Sequence, residues 1–263
     1  MAAQHKDDFY LGLSLNAHAI YSERLTRLKE DGYDNGSALE FVTFDNYLRT
    51  TGAGFSFQVG AIKNFGNMLR LGASYQSPTW YVIQDELSQA INSNLADAEI
   101  GFINFNQVNI FPEYRLRTPS RLTGSAALIF GKSGLLSFDY HYKDYNNMTM
   151  KPSLDFVATN ALIDNALQGT SSYNIGGEYR IQKFSLRGGY RFEESPYKDK
   201  TVMDDLTGFS FGFGYNFGRT KFDMSYSQTK QEKDHQLYSF GLTNAANIDE
   251  TNSAITASLT FSF

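Results

Sequence analysis

The sequence lacks cysteine, has only 5 Pro and 4 His, and contains no long hydrophobic run. The absence of cysteine excludes a disulfide framework, a thiolate metal site and a cysteine nucleophile. A multi-histidine metal site would need distant positions, and we predict neither a metal nor a cofactor. No stretch approaches the roughly 18 apolar residues of a transmembrane helix. The first eight residues have no apolar core and do not form a secretory signal.

Positive charge is also scarce, since 23 Lys and Arg residues stand against 28 Asp and Glu, a net charge of −5. A general nucleic-acid binder would carry a basic surface, so we exclude nucleic acid as a partner. Aromatic residues, by contrast, are abundant at 15% of 263 residues. A chain so rich in aromatic residues and so poor in proline is not expected to be disordered. No linker or low-complexity tract divides the sequence, and we predict one domain over residues 1–263.

The last nine residues alternate without a fault between apolar and hydroxyl side chains, from Ile255 to Phe263. A period of two predicts a strand with one apolar and one polar face. The same period recurs upstream. It predicts ten strands, near residues 9–21, 41–62, 68–84, 106–130, 135–147, 171–182, 184–195, 206–217, 220–232 and 251–263.

The connections between these strands alternate between short and long. The short ones have the Gly and Asn chemistry of tight hairpins, and the long ones are polar and acidic. To keep this alternation, we interpret Pro119 as a kink within one strand. Two long loops are predicted to contain short helices. Residues 153–168 would begin at a Ser153 cap and stop at Gly169, and residues 84–96 give a weaker pattern.

Alternation alone does not say whether the apolar face points into the barrel or out of it. A lipocalin-like soluble barrel buries its apolar face, and a membrane barrel exposes it to lipid. Three features favour lipid. The opposite face is rich in Gly, Ser, Thr and Asn with charges of both signs, the strands have the length of a tilted span, and aromatics lie near strand ends. Those aromatics are Phe184, Phe192, Tyr142, Tyr215, Phe217, Phe261 and Phe263.

The predicted fold is therefore all-β, a transmembrane antiparallel up-and-down β-barrel with short helices in outer loops. Its place would be the outer membrane of a Gram-negative bacterium, with membrane lipid as a partner. The terminal amphipathic strand ending on Phe263 resembles the assembly signal of bacterial outer-membrane barrels. We therefore expect the outer-membrane assembly machinery to be a second partner.

Several segments, in this order and spacing, resemble the FadL/TodX (OmpP1) family of outer-membrane transport proteins in its Bacteroidetes form. They are 46–55 (NYLRTTGAGF), 69–81 (LRLGASYQSPTWY), 118–132 (TPSRLTGSAALIFGK), 136–145 (LSFDYHYKDY), 172–180 (SYNIGGEYR) and 186–196 (LRGGYRFEESP). The resemblance implies a larger barrel of roughly fourteen strands with an N-terminal hatch. No Asn-Pro hatch motif is present, so we expect this chain to lack the hatch and first strands.

The resemblance implies passive transport of hydrophobic molecules such as long-chain fatty acids. A fatty acid needs an apolar groove for its tail and a cation for its carboxylate. The candidate ligand-binding cations are Arg187 and Arg191, two apart on one inner face, and Arg180 on the neighbouring strand. The alternative is that these arginines brace the wall by pairing with Glu178, Glu193 and Asp139.

Two other classes of function remain open, a barrel enzyme and a structural or adhesin-like barrel that uses its long loops. His141 shares a strand face with Asp139 and Ser137, but same-face neighbours lie about 7 Å apart, too far for a catalytic triad. A histidine bonded to a neighbouring strand is the simpler interpretation. We therefore predict no catalytic residues and no enzyme activity.

Overall fold

The computed structural model describes residues 1–95, 108–236 and 244–262. It contains fifteen strands, one α-helix and a short 3-10 helix. The first strands are β1 (Ala2–His5), β2 (Phe9–Asp31), β3 (Phe41–Phe65), β4 (Leu69–Gln76), β5 (Trp80–Ser93), β6 (Val108–Ile110), β7 (Tyr114–Arg117) and β8 (Arg121–Phe130). They are followed by β9 (Gly134–Asp144), the 3-10 helix Tyr145–Asn147, β10 (Thr149–Lys151), α1 (Val157–Ala166), β11 (Gly169–Ile181), β12 (Phe184–Glu193), β13 (Leu206–Asn216), β14 (Thr220–His235) and β15 (Ala246–Phe261).

All these strands belong to one antiparallel sheet. Near the short turns, neighbouring strands of the sheet follow the order β2, β3, β4, β8, β9, β11, β12, β13, β14 and β15. These are the ten predicted strands in the predicted order, and each pairs with its predecessor as an up-and-down meander requires. Within the described residues, β2 and β15 are not hydrogen-bonded to each other, so the sheet is not closed.

Two predicted strands are interrupted. The predicted strand 68–84 breaks at residues 77–79, between β4 and β5, and the predicted strand 106–130 breaks at 111–113 and 118–120. Each break contains a proline, which has no N–H to donate to the ladder. The prediction that Pro119 kinks a strand is confirmed, because β7 pairs with β5 and β8 with β4 on either side of it.

Two of these breaks lie side by side and bond to each other. Thr118 N donates to Thr79 O at 3.1 Å, and Thr79 N donates to Thr118 Oγ1 at 2.9 Å. The fully buried Ser77 accepts a hydrogen bond from Phe57 N at 2.9 Å. The kinked wall thus keeps its backbone groups paired, as groups excluded from water must be.

The helix predicted over 84–96 is wrong, because its described residues from 84 to 93 lie in β5, and Ala96 lies outside the described residues. Pairing with fourteen residues of β3 outweighs the local helical pattern. The other predicted helix is confirmed in part as α1, which begins later and is not capped by Ser153, since Phe156 holds the cap position. In the described part of the chain, no helix could span a bilayer.

Apolar side chains line the convex face of the ten-strand wall. On β13, Phe209, Phe211 and Phe213 are exposed on this face, while Ser210 and Gly212 lie on the other. Aromatics mark the ends of the apolar band, as at Phe65 and Phe55 on β3. These two lie ten residues apart, which at about 3.4 Å per residue and about 40° of tilt covers roughly 25 Å of depth. That depth matches the apolar band of an outer-membrane barrel.

Candidate functional site

The concave face of the wall holds a hollow of about 630 Å³ close to the short turns. Its surface is built largely from glycine and small side chains that β2, β3, β4 and β8 present inward. Examples are Gly12, Gly60, Gly72, Ser74, Ser125 and Ala127. Tyr10 and Ile62, directly opposite each other on β2 and β3, supply larger apolar surface. The volume falls within the usual range for a small-molecule pocket.

Small residues are needed here because neighbouring strands pack closely and because larger side chains would fill the hollow. A Cβ added to Gly60 would lie 3.2 Å from the Ser74 Cβ on the neighbouring strand, tighter than ordinary contacts. A larger side chain at Gly60 would therefore push β3 from β4 and also fill the hollow. The glycines keep this part of the inner wall smooth and open.

One cation, Arg70 on β4, lies on the rim of the hollow. Its exposed side chain makes no hydrogen bond or ion pair with the residues that the structure describes. Asn64 lies opposite Arg70 on β3, and its buried Oδ1 has no hydrogen-bond partner. Sequence reasoning missed Arg70 as a site residue. Its inward position on the alternating strand 69–75 was the available signal.

The predicted ligand cations lie elsewhere on the inner face, and each has a carboxylate partner. Arg187 Nε donates to Glu178 at 2.5 Å, and its Nη1 donates to Asp223 at 2.7 Å. Arg180 also pairs with Glu178, and Arg191 pairs with Glu193 at 2.5 Å. The three arginines are therefore part of a paired charge ladder across β11, β12 and β14.

One expected partner is different. Asp139 accepts a hydrogen bond from Ser125 at 2.5 Å and pairs with none of the three arginines, so that expectation is wrong. Asp223 takes its place because β14 presents this residue inward opposite Gly214. A second hollow of about 520 Å³ is lined by Arg187 and Arg191, and it shares Ser137 with the first. Binding of a ligand by the arginines stays a prediction.

The histidines of the inner wall are bonded to hydroxyl groups of neighbouring strands. His141 Nδ1 lies 2.9 Å from Thr123 Oγ1, and His18 Nε2 lies 2.8 Å from Ser56 Oγ. Ser56 is fully buried, and in the described chain no carboxylate orients His18. A catalytic triad needs an accessible nucleophile and a third group that orients the base. These pairs are therefore wall contacts.

Beyond the kinks, the strands extend past the apolar band towards the long loops, and their apolar residues change from the outward to the inward side. We call this part, residues 20–31, 41–52 and 81–93 with β7 and β10, the extension. On β3, Phe55 and Phe57 point outward, whereas Phe44 and Leu48 belong to the inward set, and Asp45 and Arg49 point outward. The alternation thus changes phase near Gly52 within one continuous strand.

The inner face of the extension is an apolar surface centred on Ile83, which is 4% exposed. Tyr114 lies opposite Ile83 on β7, and Leu116 lies opposite Tyr81. The Tyr114 ring lies 5.3 Å from that of Phe156, at the start of α1. Polar groups on the same face bond to one another. Asp85 accepts hydrogen bonds from Thr50 at 2.6 Å and Tyr114 at 3.2 Å, and Gln89 donates to Asn46 at 2.6 Å.

The loops above this surface are bonded into a cap, which we define as residues 152–168 and 194–205. Asn160 of α1 bonds to both backbone groups of Met150, at 2.8 Å and 3.0 Å. Gln168 Nε2 donates to Ser195 O at 3.0 Å, and Lys198 Nζ donates to Asp164 O at 2.6 Å. The two loops therefore hold each other and the end of the wall.

Asp205 is the main acceptor within the cap. Its carboxylate accepts from Lys200 Nζ at 2.6 Å and from Ser195 N at 2.8 Å. Burial acts to raise the pKa of Asp205, but the hydrogen bonds from Lys200 and Ser195 outweigh it and lower the pKa below its usual value. The same hydrogen bond to Asp205 raises the pKa of Lys200.

Comparison with known proteins gives a family and a fold. The sequence profile of a family described as outer membrane protein transport protein (OMPP1/FadL/TodX) matches residues 3–263. No protein with a curated description matches the chain.

Three solved structures share the fold at low sequence identity. CymD, a monoaromatic hydrocarbon channel, is 16% identical with a TM-score of 0.55, covering 100% of this chain and 71% of CymD. The P. putida toluene transporter TodX is 12% identical with a TM-score of 0.59, covering 99% of this chain and 67% of TodX. A Pseudomonas aeruginosa FadL homologue is 12% identical with a TM-score of 0.53, covering 100% and 77%.

Proposed function

The chain belongs to the outer membrane protein transport protein family (OMPP1/FadL/TodX), and on that premise we propose that it carries long-chain fatty acids or similar hydrophobic molecules across the outer membrane by passive diffusion. The protein lies in the outer membrane of a Gram-negative bacterium. The observation that carries the proposal is the inner hollow of about 630 Å³ with Arg70 at its rim, a cation that has no partner among the residues described. An apolar space beside one free cation suits an amphipathic molecule with an anionic head.

The apolar inner surface of the extension supplies a first binding surface on the outer side of the membrane. Long loops of outer-membrane barrels face the exterior and short turns face the periplasm. A hydrophobic solute would leave water at Ile83, Tyr114 and Leu116 and move inward towards the hollow near the short turns. Each transfer exchanges one apolar surface for another, so no energy source is needed.

We compare Arg70 with the arginines 180, 187 and 191 as cations that could receive a carboxylate. We favour Arg70, because the other three already bond to carboxylates and a second anion would compete with those partners. The arginine ladder then braces the wall.

Binding of oleate to the purified, reconstituted protein tests this proposal. We expect Arg70→Ala to weaken oleate binding about tenfold, a typical value for one charge-assisted hydrogen bond. Oleyl alcohol has the same tail without the charge, and its binding should change less than twofold. Arg187→Ala is the matched control, an inward arginine of the same wall, and should leave oleate affinity unchanged.

The opposite pattern, with Arg187→Ala harmful and Arg70→Ala neutral, would assign the carboxylate to the ladder. Weakening of oleate and oleyl alcohol by the same factor would show that Arg70 does not recognise charge. No binding of oleate, toluene or any hydrophobic probe would contradict transport. It would favour the structural or adhesin-like alternative, which measured cell adhesion would then support.

Membrane lipid and the outer-membrane assembly machinery are the partners that we propose in addition to the transported molecule. The exposed apolar band, from Phe211 to Leu259 on the last strands, needs lipid as its solvent. The alternating terminal strand β15 is the segment that we expect the assembly machinery to read.

A further inference from the structure

A second free group of cations lies on the outside of the extension. Arg115 and Arg117 of β7 lie opposite Val82 and Trp80 and share their outward facing. Lys151 of β10 lies directly opposite Arg115. All three side chains are exposed. We call Arg115, Arg117 and Lys151 the outer cation patch.

These cations differ from the other outward charges of the extension, which are paired. Arg27 bonds to Asp45 at 2.6 Å, and Arg49 bonds to Glu86 at 3.4 Å. In the part of the chain that the structure describes, no carboxylate or other side chain bonds to any member of the outer cation patch. Two like charges directly opposite on neighbouring strands destabilise a sheet. The arrangement of Arg115 and Lys151 is therefore unfavourable unless an anion lies between them.

The depth of the patch identifies where that anion would come from. Trp80 is outward and 45% exposed, as expected of an aromatic at the boundary of the hydrocarbon. Arg117 lies opposite Trp80, and Arg115 is one step further towards the long loops. The patch therefore lies at the level of the headgroups of the outer leaflet.

From these observations we propose that the outer cation patch binds the phosphate groups of an outer-leaflet lipid. Side chains two apart on a strand lie about 7 Å from each other, and directly opposite residues lie about 5 Å apart, so three donors can surround one phosphate. Arginine forks bind phosphate through two parallel N–H groups. A phosphate tethered at this depth by acyl chains has a high effective concentration, which free phosphate lacks.

Binding of a bis-phosphorylated lipid A to the full chain in detergent tests this site, with dephosphorylated lipid A and inorganic phosphate as comparison ligands. We expect wild-type protein to bind the phosphorylated lipid at least tenfold more tightly than the dephosphorylated one. Inorganic phosphate at the same concentration should not compete. The triple variant Arg115→Ser, Arg117→Ser, Lys151→Ser should lose this preference for the phosphorylated lipid.

Two further variants make the result decisive. Lys132→Ser with Lys183→Ser removes exposed cations from the short turns at the opposite end, and its lipid preference should stay as in wild type. Arg115→Lys with Arg117→Lys keeps the charge and should retain part of the preference, which separates lost recognition from misfolding. Equal binding of both lipids by wild type would overturn the proposal, and effective competition by inorganic phosphate would make the patch a free-anion site.

This site does not depend on the transported molecule. Failure of oleate binding would leave the lipid phosphate preference in place, and loss of that preference would leave transport in place.

Discussion

The long strands run through both the membrane-spanning wall and the extension, but their apolar residues lie on opposite faces in the two parts. In the wall, apolar side chains such as Phe57 point outward and ion pairs such as Arg187–Asp223 lie inside. In the extension, Ile83 and Leu48 lie on the inward face, and ion pairs such as Arg27–Asp45 lie on the outward face. The difference shows that the solvent on the convex face, lipid or water, decides which face of a strand is apolar.

The largest expected effect comes from placing a charge in the lipid-facing wall. Phe211→Arg should cost about 2–4 kcal/mol of folding free energy, since arginine near the bilayer midplane loses its hydration. The matched control is Ser225→Arg, because Ser225 lies on the inward face of the next strand, opposite Gly212. Urea unfolding in lipid vesicles measures both, and equal costs would contradict the facing assigned to the wall.

In the extension, we expect an inward apolar residue of β5 to contribute more to stability than its outward neighbour. Ile83 is 4% exposed and inward, whereas Val82 is 43% exposed and outward. Ile83→Ala should cost about 2–3 kcal/mol, as for other buried aliphatic truncations, and Val82→Ala less than about 1 kcal/mol. The same unfolding assay applies. A larger loss at Val82 would place the apolar boundary above the kinks.

Ion pairs of the wall and of the extension should also differ in their contribution to stability, with smaller effects. Glu178, 12% exposed, bonds to two arginines inside the wall, and Asp45, 26% exposed, bonds to Arg27 outside the extension. Glu178→Gln should cost about 1–3 kcal/mol because it removes the carboxylate of Arg180 and one of the two carboxylates of the partly buried Arg187. Asp45→Asn should cost clearly less, because water screens this exposed pair. Similar values would indicate that water fills the inner wall.

The smallest effect concerns pH and the cap. The pKa of Asp205 is lowered in the folded protein, so its contribution to stability is complete above the unfolded value near 3.8 and is lost as pH falls through the folded value. Hydrogen exchange of residues 194–205 should therefore accelerate below about pH 4. Asp205→Asn should show fast exchange already at pH 7. A variant with unchanged exchange at pH 7 would remove Asp205 from this role.

The recurring period of two was enough to predict the spanning wall. Side chains alternate without interruption over residues 209–217 and 255–263, because one face meets lipid and the other a polar interior along the span. The ten strands and their order follow from this pattern and from the short turns at Gly131 and Gly218, whose positive φ values suit glycine. The family resemblance then added the class of function.

The strand β5 and the position of Asp223 were missed for a different reason. Residues 84–93 combine a helical pattern with good helix formers, and only their pairing with β3 makes them a strand. Likewise, the partner of Arg187 depends on which residue β14 places beside it. Both depend on the registers of strands that are distant in sequence.

The inner apolar surface had a signal in the sequence, the change of phase between Leu48 and Phe55. A prediction that rests on one constant alternation along the strand misses this surface. The free state of Arg70, by contrast, had no signal, because whether a cation is paired depends on every neighbouring strand.

The sequence by itself determined that this chain forms amphipathic strands for an outer-membrane barrel, since facing and strand length are local properties with a fixed period. Only the tertiary structure decided which cations are paired and which residues of distant strands lie opposite each other. These depend on the register between strands, and register places together side chains that no local pattern relates.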